Sequence, residues 1–293
     1  NHQLRGGDAD RDERFVRDWC AAHAIPFFAG RGDVRAKAER EGLSVEEAAR
    51  TLRYAFLEEV RQREGFACIL TAHHADDSAE TMLLNLLRGT GLRGLTGIPP
   101  VRGRIRRPLL GMTRAELARY AEAHHVPHVE DATNEKDDMT RNLLRHRVMP
   151  VLRAANPRAV ENMARTAALL AADEAALHEA AEILLKKAEL VPGVSAALPV
   201  SALDSTPEAV RSRAVQIAIA AVAGREKDIG YLHVHSVLEL ERGQVSLPYG
   251  VIAVREGETL RLLRQAEPLA SQRILPGQTV FFGPWRVRIA ADT

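Results

Sequence analysis

Residues 73–80 hold two histidines, His73 and His74, and three carboxylates, Asp76, Asp77 and Glu80. Groups of these types move protons, hold a divalent cation, or steer and deprotonate an ammonium nucleophile. On a helix, residues four apart are neighbours, so His73 would stand beside Asp77 and Asp76 beside Glu80. Part of the pattern serves structure alone. Asp77-x-x-Glu80 fits a loosened capping box, and an aspartate before an apolar run is an ordinary N-cap. Capping needs neither two histidines nor a further carboxylate, so five ionisable groups in so short a stretch favour a site.

The elements around the cluster agree with that reading. Residues 66–72 are apolar apart from Thr71 and read as a strand buried on both faces. Residues 82–88 read as a helix closed by Gly89. A buried strand passing through a polar junction into a helix is where open α/β sheets bind ligands. Upstream, residues 8–24 show helical spacing, with Phe15, Val16, Trp19, Cys20 and His23 as one stripe. Residues 25–28 read as a short strand and 30–42 as an irregular polar segment. Ser44-x-x-Glu47 then opens a helix to about residue 64, with Ala48, Ala49, Leu52, Phe56 and Val60 inward and Glu46, Arg50, Arg53 and Tyr54 on other faces.

Cationic stretches follow the cluster. The glycine-rich segment 88–97 permits close backbone approach, a weak anion signal by itself. Arg102, Arg104, Arg106 and Arg107 place four arginines in six positions. Thr113-x-x-Glu116 caps a helix that His124 and His125 close at its negative end. An acidic turn at 129–134 leads to Arg141, Asn142 and Arg145, with Arg153 and Arg158 beyond. Folded near the first, this second basic cluster would bind phosphate; a solvated helix face is the competing reading.

From Asn156-Pro157 an alanine-rich helix reads to about residue 190, and Pro192-Gly193 punctuates a boundary. Beyond it come helices at 206–222 and 231–242, short strands at 245–247, 251–254 and 260–263, and a hairpin around Gly283-Pro284. No catalytic constellation stands in that half.

The 293 residues suit about two domains, and 46% hydrophobic with 27% charged residues suit a globular protein. A net charge of +1 gives no global nucleic-acid signal, so any such signal is local. Cys20 and Cys68 match no zinc or redox spacing. No apolar run approaches a membrane span, and a cytoplasmic address is expected.

His73-His74-Ala-Asp76-Asp77-x-x-Glu80-Thr81, with Leu87-Arg88-Gly89 behind it, resembles the tRNA(Ile)-lysidine synthases of the PP-loop ATP pyrophosphatase superfamily. Three further stretches agree in order and spacing: Asn1-His2-x-Leu4-Arg5, Glu47-Ala48-Ala49-Arg50-x-x-Arg53-Tyr54, and Glu130-Asp131-x-x-Asn134 leading to Arg141-Asn142-x-x-Arg145. The resemblance implies an α/β, adenine nucleotide α-hydrolase-like fold, with a mostly parallel sheet and helices on both faces. A helical linker and a small α+β domain would follow. It divides the chain into a nucleotide-binding catalytic domain at 1–150, a linker at 151–192, a tRNA- or substrate-binding domain at 193–266, and the start of a β-rich domain at 267–293.

The family uses ATP and Mg2+ to adenylate the wobble cytidine of an isoleucine tRNA with a CAU anticodon, and L-lysine then displaces AMP. Carried over residue by residue, this makes His74, Asp77 and Glu80 catalytic, with Asp77 also the metal ligand. Arg50, Arg53, His2 and Arg5 would bind the nucleotide. His73, Asp76, Arg141, Asn142 and Arg145 would meet lysine or tRNA. A homodimer is an allowed assembly; a membrane partner is not implied.

One departure stands out. The superfamily's Ser-Gly-Gly-x-Asp-Ser loop would precede Asn1-His2 and does not occur in these residues, and the family's C-terminal tail is cut short. An N-terminal piece is therefore expected to be missing, and this polypeptide alone is expected to lack ATP-dependent activity. A non-catalytic RNA-binding fragment is the alternative. Sulfur transfer, the chemistry of related tRNA thiolases with a cytidine target, does not suit a chain without a Cys-x-x-Cys.

Overall fold

The computed structural model describes residues 1–2, 7–129, 139–226, 228–265, 279–282 and 285–288. The chain forms two compact units, Asn1–Ala172 and Asp173–Thr293.

The first unit begins with α1 (Gly7–Ala22), α2 (Val34–Glu41) and α3 (Val45–Arg63). Asp33 caps α2 by accepting from the Ala36 amide, and Gly42 ends it in the left-handed region. This helix occupies part of the segment that reads as irregular, because its apolar positions are few. Val34 and Ala38 nevertheless pack with Ala48 into a small core that fixes α2 on α3. The Ser44–Glu47 capping box starts α3 as the spacing predicts. Residues 25–28 form no strand. In α1 only Cys20 of the expected stripe is buried; Val16 is exposed, and Trp19 stacks on His23 at 4.2 Å.

Strand β1 (Ile69–Leu70) pairs in parallel with β3 (Ile105–Arg106), which pairs antiparallel with β2 (Val101–Arg102). The strand is shorter than the apolar run 66–72, and it is not buried on both faces: Leu70 is 65% and Phe66 45% exposed. Among the described residues β1 has a hydrogen-bonding partner on one side only. The arginine-rich stretch 102–107, read as a patch, is thus partly a hairpin. Between β1 and β2 come α4 (Ala75–Leu87) and the short α5 (Leu92–Leu95). The glycine-rich segment folds back on α4: Asn85 donates to the Gly94 carbonyl (2.8 Å), and Ser78 accepts from the Ile98 amide (3.0 Å). Gly97 has φ +70°, and a Cβ there would lie 2.3 Å from the Ser78 hydroxyl. These glycines at 94 and 97 serve helix packing.

Helices α6 (Arg114–Ala123) and α7 (Met139–Leu143) follow, then a π-turn at Leu144–Val148, α8 (Met149–Ala155) and α9 (Ala159–Leu185). Ala75 and Ala79 of α4 bury against Met149 and Val160, anchoring α4 on α8 and α9. That apolar contact turns the polar face of α4 toward α7 and the π-turn.

The second unit takes in the end of α9. Its strands are β4 (Glu189–Val191), β5 (Ser195–Pro199), β6 (Gly243–Leu247), β7 (Val251–Glu256) and β8 (Thr259–Arg264). They form one antiparallel sheet in the order β4-β5-β8-β7-β6. Pro192-Gly193 lies in the turn between β4 and β5, and α9 ends at Leu185 rather than near 190. Helices α10 (Val200–Asp204), α11 (Glu208–Ala223) and α12 (Tyr231–Leu238) complete the unit. Ala214, Val215, Ala218, Ile219 and Val222 of α11 join Leu198, Val251, Ala253 and Leu262 of the sheet in one core. The hairpin β9 (Thr279–Phe282) and β10 (Trp285–Arg288) pairs Trp285 with Phe282. No helix among the described residues is long and apolar enough to cross a membrane.

Candidate active site

The cluster sits where β1 ends and α4 begins. The cap of α4 is His74 rather than Asp77: the His74 amide donates to the Asp77 carboxylate (3.0 Å), and the Asp77 amide donates back to His74 Nδ1 (3.4 Å). Structural capping and the chemical cluster therefore share residues. The cap also holds Asp77 at the helix N-terminus, where the dipole favours a carboxylate.

Asp76 and Glu80 are 4% and 3% exposed, so their charges demand partners. Arg145, in the π-turn, grips Glu80 with two 2.8 Å hydrogen bonds and reaches Asp77 at 3.3 Å. Glu80 in turn holds the Arg145 guanidinium more firmly protonated. Arg141 donates to the Thr81 hydroxyl (3.2 Å) and lies 3.9 Å from Glu80. Asp76 pairs with Arg153 and accepts from the Arg114 amide at the start of α6 (2.8 Å). The solvated-face reading of Arg141 and Arg145 is thus replaced by an ion-paired network across α4. Asn142 stands on α7, half-buried.

His73 lies in the junction before α4, its Nδ1 2.9 Å from the Thr71 hydroxyl. Burial lowers its pKa, Asp77 opposes that, and Arg107, Arg50 and Arg53 add to it. Its environment therefore favours the neutral imidazole. Arg50 and Arg53 lie over the Tyr54 ring, 5.1 and 5.7 Å from its centre. Burial, with the nearby charges of Arg53, Arg102 and Arg107, lowers the Arg50 pKa. His73 thus feels both the Asp77 carboxylate and the Arg50, Arg53 and Arg107 guanidinium groups. Arg107 was legible only as one arginine among four.

The Asn1 backbone nitrogen donates to the Gly30 carbonyl (2.7 Å), and the Gly32 amide donates to the Asn1 carbonyl (3.1 Å), which sets His2 beside this strand-like contact. Arg5 and the acidic motif of Glu130, Asp131 and Asn134 lie outside the described residues. No three metal-ligating side chains converge among the described residues. A magnesium ion carried by a nucleotide needs only one or two protein carboxylates, and Asp77, one-fifth exposed, fits that requirement.

A cavity of about 560 Å³ opens beside the acidic network, lined in part by Asp76, Glu80, Arg145, His146, Arg153 and Glu161. Its size suits a small-molecule ligand.

The model of the PP-loop domain matches residues 1–152. The chain is 37% identical over 279 residues to tRNA(Ile)-lysidine synthase of Geobacter sulfurreducens, covering 92% of this chain and 59% of that protein. It is 35% identical over 292 residues to tRNA(Ile)-lysidine synthase of Caldanaerobacter subterraneus, covering 97% and 62%. The chain therefore spans about three fifths of the length of these relatives. Among solved structures, the U34-tRNA thiolase NcsA of Methanococcus maripaludis with its 4Fe-4S cluster matches with TM-score 0.48 and 17% identity, over 58% of this chain and 59% of that one.

Proposed function

We propose, since the chain belongs to the PP-loop domain family, that its crevice serves the ATP-driven attachment of L-lysine to the wobble cytidine of an isoleucine tRNA with a CAU anticodon. The names of its relatives point to the tRNA. The observation that carries the chemistry is the carboxylate–arginine network at the start of α4, where Arg145 bonds both Glu80 and Asp77.

In the first step the cytidine O2 bonds to the α-phosphorus of ATP and pyrophosphate leaves. Arg50 and Arg53 would neutralise the charge that grows on the phosphate oxygens. Asp77 would hold a magnesium ion, which when bound would supply further charge neutralisation for the phosphates. In the second step the lysine ε-nitrogen bonds to C2, the C2–O bond breaks, and AMP leaves with the oxygen. The ammonium must first lose a proton, which Asp77 or His73 would accept. Glu80 works through Arg145: its paired hydrogen bonds fix the guanidinium that in turn reaches Asp77. The cavity beside this network suits the amino acid, with Glu161 on its wall to meet an ammonium group.

Isotope exchange between pyrophosphate and ATP, catalysed by the full-length protein carrying this sequence, tests the first step without lysine. The reading expects exchange that requires the tRNA. RNA binding with no exchange at any ATP concentration would replace it with the RNA-binding alternative.

A further inference from the structure

Arg107 is 4% exposed, which for an arginine calls for a carboxylate partner. None pairs with it among the described residues. Its Nη1 donates to the Pro99 carbonyl (2.6 Å), and its Nε has no hydrogen-bond partner. The Tyr54 hydroxyl is also buried without one. Arg107 acts electrostatically on Arg50 and His73, and Arg102 also acts on Arg50. In the network at α4, by contrast, Arg145 and Arg153 are each ion-paired. Burying a lone cation costs several kcal/mol, and a chain carries that cost where an incoming anion removes it.

We propose that Arg107, with Arg50, Arg53 and Arg102, forms a phosphate-receiving site in which Arg107 is the buried anchor and Tyr54 a second donor. The ligand chemistry is a phosphate group, borne by a nucleotide or by an RNA backbone. This deepens the functional reading given above and rests on it only for the choice between those sources.

The test uses the protein that carries this sequence, its Arg107→Met and Arg107→Lys variants, inorganic pyrophosphate, and a synthetic anticodon stem-loop. Binding is read without turnover, so a failure of lysine transfer does not bear on it. Arg107→Met should raise the Tm of the ligand-free protein, because a lone buried charge is gone. It should weaken one of the two ligands by about tenfold or more, while Arg107→Lys keeps most of the affinity. Loss confined to pyrophosphate assigns the site to the nucleotide; loss confined to the stem-loop assigns it to RNA. A lowered Tm with both affinities unchanged would overturn the proposal and leave Arg107 as a tie for the Pro99–Pro100 turn. Should Arg107→Met not fold, the unmutated protein decides: the Arg107 Nε–H resonance must shift on saturation with one ligand, and silence toward both refutes the site.

Discussion

At the scale of residues, the site is a balance of buried charges. Glu80 is almost wholly enclosed and depends on Arg145. Arg145→Ala should therefore cost about 3 kcal/mol in denaturant unfolding, since it strands a buried carboxylate. Pairing Arg145→Met with Glu80→Leu should recover most of that stability while leaving no lysine transfer; a double variant as unstable as the single one would show that the pair is not the cause. His73 gives a second check. Its pKa is depressed by burial first, with Asp77 opposing and Arg107, Arg50 and Arg53 assisting. The unfolded state thus binds the proton more readily, so stability from this group is complete above about pH 6.5 and is lost as pH falls from there through the lower folded-state value. Titration of the ring by NMR should give a midpoint below 6.5. Saturation with pyrophosphate should raise it by neutralising the arginines. A midpoint above the ordinary histidine value would contradict the placement. The five groups of residues 73–80 were legible because chemistry concentrates polar types at one strand end. Arg107 was not, because burial distinguishes it from Arg102, Arg104 and Arg106 and sequence does not record burial.

At the scale of elements, α3 and α6 began where their capping boxes said. The start of α4 moved to His74, since histidine is not among the preferred N-caps and the spacing pointed to Asp77. The π-turn at Leu144–Val148 left no mark in the apolar spacing, yet it carries Arg145. Such one-turn irregularities recur at functional sites. Deleting His146 should regularise the helix and rotate Arg145 relative to Met149 by about 100°, with loss of lysine transfer while α4 keeps its amide-exchange protection. Unchanged activity would remove the π-turn from the account. Gly97 is a purely structural test. Gly97→Ala sets a Cβ against Ser78 at positive φ, and should cost about 1–3 kcal/mol. Strands β4 and β5 escaped the sequence reading because Ser195-Ala-Ala-Leu-Pro199 carries helix-forming alanines. Pairing with β8 overrides that local preference.

At the scale of the molecule, the two units have separate cores, and the candidate site lies in the first. Leu262→Ala, at a fully buried position, should cost about 2–5 kcal/mol. Amide exchange should quicken in β5, β7 and β8 while α3 and α4 stay protected; loss of protection in α4 as well would show that the cores are coupled. The α/β character of the first unit was readable from its strand–polar junction–helix order. The five-stranded sheet of the second unit was seen only in part, as three short strands. The central claim is that the carboxylates at the start of α4 direct lysine onto a cytidine. Its most direct test is mass spectrometry of the isoleucine tRNA after incubation with ATP, lysine and the full-length protein carrying this sequence, with and without Asp77→Ala. The account predicts one lysine joined to the wobble cytidine by the unmutated protein and none by the variant. Equal modification by both, or modification of neither, would contradict it.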